Sequence, residues 1–480
     1  MSHRTTRRQF MKRVSAGAAA LCLTSMMSCT NHSKPNIIYI LTDDLGYGDL
    51  GCYGQQMIKT PRLDQMAADG LKFNQHYAGS TVCAPSRCAL MTGQHLGHCT
   101  VRGNENVLLK SDDQTIAKTL KQVGYTTACI GKWGIGHPPP PNDPKNNGFD
   151  YFFGYLSMWH AHNYYPEFLW RNGEKVQLKN KVQHPKEHYQ QGQEKLTGLA
   201  EKKVEYTPDL FTKDALRFIE DQVSPFFLFL SYTIPHANNE ALWFDKHGME
   251  VPDLKFYKDK DWPEPEKAKA AMITRMDSHV GQILDKLKEL KIDKNTLVIF
   301  TSDNGPHKEG GQDPDFFDSN GKLRGYKRDL YEGGIRVPCL AQWTGTIEPG
   351  RVTDHISAFW DVYPTCAKIA GAPVPENLDG ISFLPVLEGN LSEQREHDYL
   401  YWEFNEGSSK QAVRMGNWKM VRVAPSDNVE LYDLSTDVCE EHNVASEHPQ
   451  MVDKAMILFQ NARDNETRWP LKDDAKVIPF

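Results

Sequence analysis

Three short, unbroken apolar runs punctuate the chain, at residues 37–41 (Ile-Ile-Tyr-Ile-Leu), 226–230 (Phe-Phe-Leu-Phe-Leu) and 297–300 (Leu-Val-Ile-Phe). Apolar runs of this length without polar alternation suit strands buried on both faces of a sheet. Between them the apolar positions return at helical spacing. Thr60-Pro61 opens one such segment, with Leu63, Met66 and Ala67 on one side. Ile116, Leu120 and Val123 mark a second, closed by Gly124, and Thr207-Pro208 opens a third that ends just before Phe226. A longer helical pattern runs over residues 268–290. Strands alternating with helices predict an α/β fold, a large and mainly parallel sheet between helices.

The pattern changes after about Pro385. Segments 399–404, 411–415, 418–423 and 430–434 are short and strand-like, separated by turn residues such as Gly407-Ser408-Ser409 and Gly416-Asn417. A helical segment over 449–463 follows. This predicts a small C-terminal antiparallel sheet plus helix, residues 386–480, appended to a main domain over 34–385. Residues 137–203, rich in Pro, Asn and His, read as surface loops that form a substrate rim.

The first 33 residues read as a leader outside the fold. Thr6-Arg7-Arg8-Gln9-Phe10 resembles a twin-arginine export signal, and the apolar stretch 14–27 is too short to span a membrane. Ser28-Cys29 resembles a lipoprotein processing site, with a plain cleavable signal as the alternative. These features predict a bacterial protein handled by the twin-arginine machinery, placed in the periplasm or at the cell surface, with membrane contact only through a lipid on Cys29. A net charge of −7, with no basic run interleaved with aromatics, argues against a nucleic-acid partner. Ten cysteines in 480 residues are too sparse for a disulfide scaffold.

Each apolar run ends in a polar cluster: Thr42-Asp43-Asp44, Ser231 through Pro235-His236, and Ser302-Asp303-Asn304. Ligands of open α/β sheets bind at the carboxyl ends of the strands, so these clusters converge on one edge. A single Asp after a strand is commonly a turn or helix cap. Asp43, Asp44, Asp303 and Asn304 together form an oxygen-only donor set, suited to Ca²⁺ or Mg²⁺. Cys83 precedes Pro85 in a segment closed by Gly93, which places it at a helix N-terminus where the peptide dipoles favour negative charge. Arg87, four residues on, projects from the same face and is placed to neutralise an anion beside Cys83. A buried structural cysteine is the plainer reading of such a residue.

Cys83-Ala84-Pro85-Ser86-Arg87 continuing to Leu90-Met91-Thr92-Gly93 resembles the signature of type I sulfatases, the arylsulfatase A-like family. Gly124-Tyr125-Thr126-Thr127 through Gly131-Lys132-Trp133 resembles that family's second signature. Asp43-Asp44, Pro235-His236, Asp303-Asn304 and Leu323-Arg324-Gly325-Tyr326-Lys327 fit in order. The resemblance covers nearly all of the chain after the leader. It implies an alkaline-phosphatase-like fold and hydrolysis of sulfate esters. It implies that a formylglycine-generating enzyme oxidises Cys83 to formylglycine (3-oxoalanine), and that the modified side chain joins Asp43, Asp44, Asp303 and Asn304 around calcium. By the same resemblance Lys132, His236 and Lys327 contact the sulfate or the leaving oxygen, and Arg87 holds the formylglycine.

One position departs from the family pattern. The second signature commonly continues Lys-Trp-His, and Gly134 stands here instead. The family His helps remove a proton from the hydrated aldehyde. His137, His160 and His162 are nearby in sequence, and a loop or core role is the competing reading for each. The stretch from Trp159 to Tyr165 carries aromatic faces and polar groups suited to a sugar, with a packed aromatic loop as the alternative; on the first reading His160 and His162 bind substrate. Export and a bacterial source favour a sulfated saccharide as substrate, and the subgroup resembled implies exo-removal of sulfate from a galactose-type residue. Two other functions fit the same residues. One is hydrolysis of phosphate mono- or diesters within the same superfamily. The other is a non-catalytic glycan-binding lipoprotein with Cys83 left unconverted.

Overall fold

A computed structural model describes residues 34–105, 107–135, 143–185 and 196–473. The leader, with its twin-arginine motif and Cys29, lies outside the described residues, as does His137. The strands in chain order are β1 (Asn36–Asp43), β2 (Leu71–Tyr77), β3 (Thr126–Lys132), β4 (Tyr151–Tyr155), β5 (Phe168–Arg171), β6 (Glu174–Gln177), β7 (Lys181–Gln183), β8 (Leu199–Lys202), β9 (Phe226–Pro235), β10 (Thr296–Ser302), β11 (Arg336–Gln342), β12 (Arg351–Thr353) and β13 (Ser357–Ala358). The large sheet has the order β12-β2-β11-β10-β1-β9-β3-β4-β5-β6, with β13 also on β2. Its centre, β10-β1-β9-β3-β4, is parallel, and β11 runs antiparallel to both β10 and β2.

The three apolar runs are the three central strands, and both faces of each are buried. Successive side chains of a strand point to opposite faces. Ile37, Tyr39 and Leu41 accordingly share one core with Phe227, Phe229, Leu297 and Ile299. Ile38 and Ile40 share the other with Leu228, Leu230, Val298 and Phe300. Helices cover both faces. They are α1 (Pro61–Ala68), α2 (Cys83–Thr92), α3 (Ile116–Gln122), α4 (Thr207–Glu220), α5 (Glu264–Glu289), α6 (Glu332–Ile335), α7 (Val362–Ala370) and α8 (Leu384–Glu388). Residues from α2, α3 and α7 enter the first core, and residues from α1, α4 and α5 enter the second. Thr115 caps α3 by accepting from the Lys118 N–H, and Gly124 beyond its end sits at φ +91°.

After α8 come β14 (Leu400–Phe404), β15 (Lys410–Met415), β16 (Trp418–Arg422) and β17 (Glu430–Asp433), an antiparallel meander, then α9 (Pro449–Asn461). One face of this sheet (Leu400, Trp402, Phe404, Ala412, Val421) belongs to the first core of the main sheet. The other (Tyr401, Val413, Met420, Leu431) packs on Ala455 and Phe459 of α9.

The loop reading of residues 137–203 needs correction. Segments there form β4, β5 and β6, which extend the main sheet, and β7 and β8, which make a separate hairpin. Their sequences are short and mix polar with apolar residues, because β6, β7 and β8 each keep exposed positions.

Candidate active site

The parallel register brings the carboxyl ends of four adjacent strands level. Thr42 pairs with Ser302, Asp43 with Pro235, and Gly131 with Ser231. Asp43 ends β1, Lys132 ends β3, His236 follows β9, and Asp303-Asn304 follows β10. Asp44 leaves its strand in the left-handed region (φ +65°), a costly conformation for a non-glycine residue of the kind held at functional sites. The helix α2 begins at Cys83 and ends at Gly93 (φ +69°), which places Cys83 at its N-terminus and Arg87 one turn on.

The charged groups interlock. Arg87 is fully buried. It donates from Nε and Nη2 to Asp303 Oδ2 (3.0 and 2.8 Å), and from Nη1 to the Lys132 carbonyl (2.8 Å) and Ser231 Oγ (2.6 Å). Four of its five N–H donors are thereby engaged, leaving one on Nη2. Lys132 Nζ donates to Asp43 Oδ2 at 2.6 Å. Lys327 Nζ donates to Asp44 Oδ2 (2.8 Å) and Glu309 Oε2 (3.1 Å), and lies 3.2 Å from His236 Nε2. His236 Nδ1 lies 2.7 Å from the Ala237 carbonyl, which can only accept, so Nδ1 carries the hydrogen.

Asn304 Nδ2 donates to Asp44 Oδ1 at 2.6 Å, and the Asp44 N–H donates to Asp303 Oδ1 at 3.1 Å. Two oxygens of this nest, Asp43 Oδ1 and Asn304 Oδ1, are buried without a hydrogen-bond partner. Buried acceptors without partners are costly and call for an explanation such as an ion. The crowding shows in the acidities. Burial, then the neighbouring Asp43 carboxylate, pushes Asp303 up to about 7. Burial works against the ionised form of Asp43 too, but Lys132, His236 and Arg87 hold it well below the usual carboxylate range. Burial, then the Lys327 charge, pulls His236 down to about 3. Burial opposes the charge on Lys327, yet Asp44 and Glu309 hold it above its ordinary value. Burial raises the Cys83 thiol, with Lys132 opposing.

The other expected residues fall differently. The His162 ring stacks on His236 (4.8 Å, 17°), and its Nδ1 is 3.1 Å from Glu240 Oε1. His160 is packed edge-on to Tyr155 (5.0 Å) and against Phe168 (4.7 Å), and burial brings it down to about 3. Its neighbours are core aromatics, so the substrate role expected for His160 finds no support, whereas His162 adjoins the charged cluster. Gly134 sits at φ +70°, where an added Cβ would lie 3.1 Å from Arg87 Cδ and 3.2 Å from Lys132 Cε. A side chain there would be strained by the left-handed backbone and would need the Arg87 and Lys132 side chains to give by a few tenths of an ångström.

Sequence reasoning missed four neighbours: Asn104, Met158, His307 and Glu309. Met158 Sδ lies 4.0 Å from Cys83 Sγ. Asp44, His307 and Glu309 also stand close enough to share a metal ion. Glu309 had a faint signal, six residues beyond Asp303; Asn104 had none.

A buried nest of carboxylates and lysines beside a helix-borne cysteine, at the carboxyl edge of such a sheet, places the chain in the alkaline-phosphatase-like class. The chain belongs to the sulfatase family, whose profile matches residues 35–372. A second profile, N-sulphoglucosamine sulphohydrolase, C-terminal, matches residues 324–463. Human steryl-sulfatase is 33% identical over 77% of this chain and 72% of its own length. Rat N-acetylgalactosamine-6-sulfatase is 30% identical over 91% of this chain and 81% of its own. The crystal structure of Ps i-CgsB in complex with k-i-k-neocarrahexaose superposes with a TM-score of 0.75 at 28% identity, covering 92% of this chain and 95% of that one. A phosphonate monoester hydrolase of Agrobacterium radiobacter shares the fold (TM-score 0.61, 20% identity, 89% and 95% coverage). The protein is a sulfuric ester hydrolase.

Proposed function

We propose that this sulfatase removes sulfate from a saccharide, using formylglycine made from Cys83 and a bound Ca²⁺, with Mg²⁺ the weaker candidate. The observation that carries this reading is the pair of buried, unpartnered oxygens, Asp43 Oδ1 and Asn304 Oδ1, between Asp44 and Asp303. A donor set of three carboxylates and one amide oxygen fits a hard divalent cation, and such a cation offsets the burial and the Asp43 repulsion that raise Asp303. Cys83 lies within the same electrostatic neighbourhood as Asp43, Asp303, Lys132 and Lys327. Burial raises its thiol, with Lys132 opposing, and a thiol is a poorer nucleophile than a thiolate. Hydrated formylglycine supplies two hydroxyls on one carbon, one to attack sulfur and one whose proton loss releases sulfate.

The chain's own residues then have separable tasks. The ammonium groups of Lys132 and Lys327 bind the sulfuryl oxygens and offset charge that develops there. With Nδ1 committed to the Ala237 carbonyl and the ring neutral, His236 Nε2 accepts from Lys327 Nζ. Lys327 is therefore the proton donor to the leaving oxygen, and His236 orients that ammonium. Arg87 anchors Asp303 and the end of β3, which favours a supporting role with one N–H left for the group at position 83. Beyond His236 the rings continue through His162 to Trp159 (5.5 Å), a surface suited to a sugar. The N-acetylgalactosamine-6-sulfatase relatives and the neocarrahexaose complex support a sulfated sugar over a small aryl sulfate, and we place the cut at a terminal galactose-type residue. The leader supports export by the twin-arginine route to the periplasm or cell surface, with a lipid on Cys29, after conversion by a formylglycine-generating enzyme.

The mass of the Cys83 peptide tests the modification: conversion lowers it by about 18 Da. Cys83→Ala is expected to abolish turnover with the fold intact. Sulfate and phosphate esters compared side by side test the reaction, and a clear phosphate preference would overturn it. Chelation is expected to lower both activity and Tm, and Ca²⁺ at about 100 times its Kd to restore about 2.7 kcal/mol of stability. A Tm indifferent to both counts against the cation.

A further inference from the structure

Asn104 touches the residue that the chemistry centres on. Its Oδ1 accepts from the Ala84 N–H at 3.1 Å and lies 3.7 Å from Cys83 Sγ, the thiol donating. The residue at the N-cap of α2 is Val82, which has no side-chain oxygen, so this helix start borrows its acceptor from 20 residues away. The segment delivering it is pinned residue by residue from the C-terminal part of the chain. Arg102 donates to the Cys99 and Asp464 carbonyls (3.0 and 3.2 Å) and pairs with Glu403 at 3.5 Å. Gly103 lies under Trp469, where a Cβ would meet the indole at 2.8 Å. The Asn104 backbone N–H faces the Glu406 carboxylate. Such anchoring fixes one amide oxygen against one side chain, which capping alone does not require.

The family's histidine is missing, and Gly134, beside Arg87 and Lys132, has no side chain to offer position 83. The other polarisable neighbour, Met158 Sδ, is a weak acceptor. We propose that Asn104 is a positioning residue for the nucleophile, its Oδ1 accepting a hydrogen bond from one hydroxyl of the hydrated formylglycine at position 83. This rests on the formylglycine reading above. An amide oxygen accepts a hydrogen bond without taking the proton, so Asn104 sets the direction of one hydroxyl and turns the other toward the carboxylate and lysine nest. The same bond favours the hydrate over the free aldehyde, because only the hydrate has a hydroxyl to donate.

The experiment follows the aldehyde itself. Wild type, Asn104→Ala, Asn104→Leu and Asn104→Asp are converted, and the Cys83 peptide of each is weighed to fix the fraction of formylglycine. Each is then treated with methoxyamine, which captures only free aldehyde, and oxime formation is timed by mass. Ala and Leu remove the acceptor, and Leu keeps the volume; Asp keeps an oxygen in place. We expect oxime formation about fivefold faster in the Ala and Leu variants, the worth of one hydrogen bond, and within about twofold of wild type in Asn104→Asp. For a sulfate ester, kcat falls about 10- to 100-fold in the Ala and Leu variants while KM moves less than about threefold. Labelling at the wild-type rate in both, or labelling of Asn104→Asp as fast as Asn104→Ala, overturns the inference. So does loss of fold in the Ala and Leu variants, alone or together with Asn104→Asp, which assigns Asn104 to holding the fold. A wild-type peptide without conversion refutes the formylglycine reading itself, a result told apart by mass before any variant is compared.

Discussion

His160 and His162 differ by two positions in sequence and by everything in surroundings. A 3-10 turn over His160–His162 sends the first ring among Tyr155 and Phe168 and stacks the second on His236. His160 is accordingly packed among aromatic rings and held neutral by burial, and His162 is the one that adjoins His236, where the proposed substrate would lie. We expect His162→Ala to lower kcat/KM for a sulfated saccharide about tenfold with little change in Tm. His160→Ala is expected to cost about 1–3 kcal/mol of stability and leave KM near wild type. Measuring both variants by melting and by saccharide kinetics checks the assignment; the reverse pattern refutes it. Gly134 makes a related point. The residue that looks like a loss against the family pattern is the one that a left-handed backbone favours, at a point where a Cβ would lie 3.1 Å from Arg87 Cδ.

Asp361 shows how elements are tied together by single side chains. Its carboxylate accepts from the Ala358 N–H (2.8 Å) just before α7 and from the Ile381 N–H (2.8 Å), and meets His397 Nε2 at 2.7 Å on the approach to β14. Burial lowers the affinity of His397 for its proton, but the Asp361 charge and hydrogen bond outweigh burial and hold it above 6.5. A free histidine titrates near 6.5. Below that value both folded and unfolded chains carry the proton and the stabilisation is fully present; it is lost as pH rises through the raised folded value. His397→Gln removes the ion pair. The Tm difference between wild type and variant is therefore expected to be largest near pH 6 and to shrink toward about pH 9. A difference that grows with pH contradicts the pairing. The elements legible in the sequence were those whose stability is local or wholly apolar: the central strands β1, β9 and β10, the helices with an apolar face at helical spacing, and the C-terminal meander with its turn residues. Strands β2 (LKFNQHY) and β3 (TTACIGK), like β4 to β8, were not legible, because alternating or weakly apolar sequences become strands only when a distant partner is present. The metal-type oxygens and Cys83 were readable from strand ends and a motif. Asn104 was not, since residues after position 400 bring it to Cys83.

At the scale of the molecule, the C-terminal sheet and the loop bearing Lys327 share buried charge. Lys419 of β16 is fully buried and pairs with Glu332 (2.9 Å) and Glu440 (3.5 Å). The Glu332 N–H donates to Glu440 Oε2 at 2.7 Å, and Arg324 Nη1 donates to the Glu440 carbonyl at 2.8 Å. Lys327 lies on the segment between Arg324 and Glu332, and Lys410 of β15 donates to the carbonyl of the next residue, Arg328, at 2.8 Å. The loop that presents Lys327 is therefore held at both ends by residues after position 400, and the inner face of the C-terminal sheet is itself part of the main core. Replacing Lys419 with methionine keeps the volume, leaves Glu440 without its cation and leaves Glu332 to Arg336. Breaking a buried pair in this way costs about 3–5 kcal/mol. Because the clamp and the core are shared, the cost falls on the whole described chain and not on the C-terminal sheet alone. We expect calorimetry of wild type to show one transition for the sheet and the catalytic region together, and Lys419→Met to move that single transition down. Sulfatase activity is expected to disappear at the same, lower temperature. Two separate transitions, with activity outlasting the first, would mean that the C-terminal sheet folds on its own and that Lys327 is held by something other than this clamp.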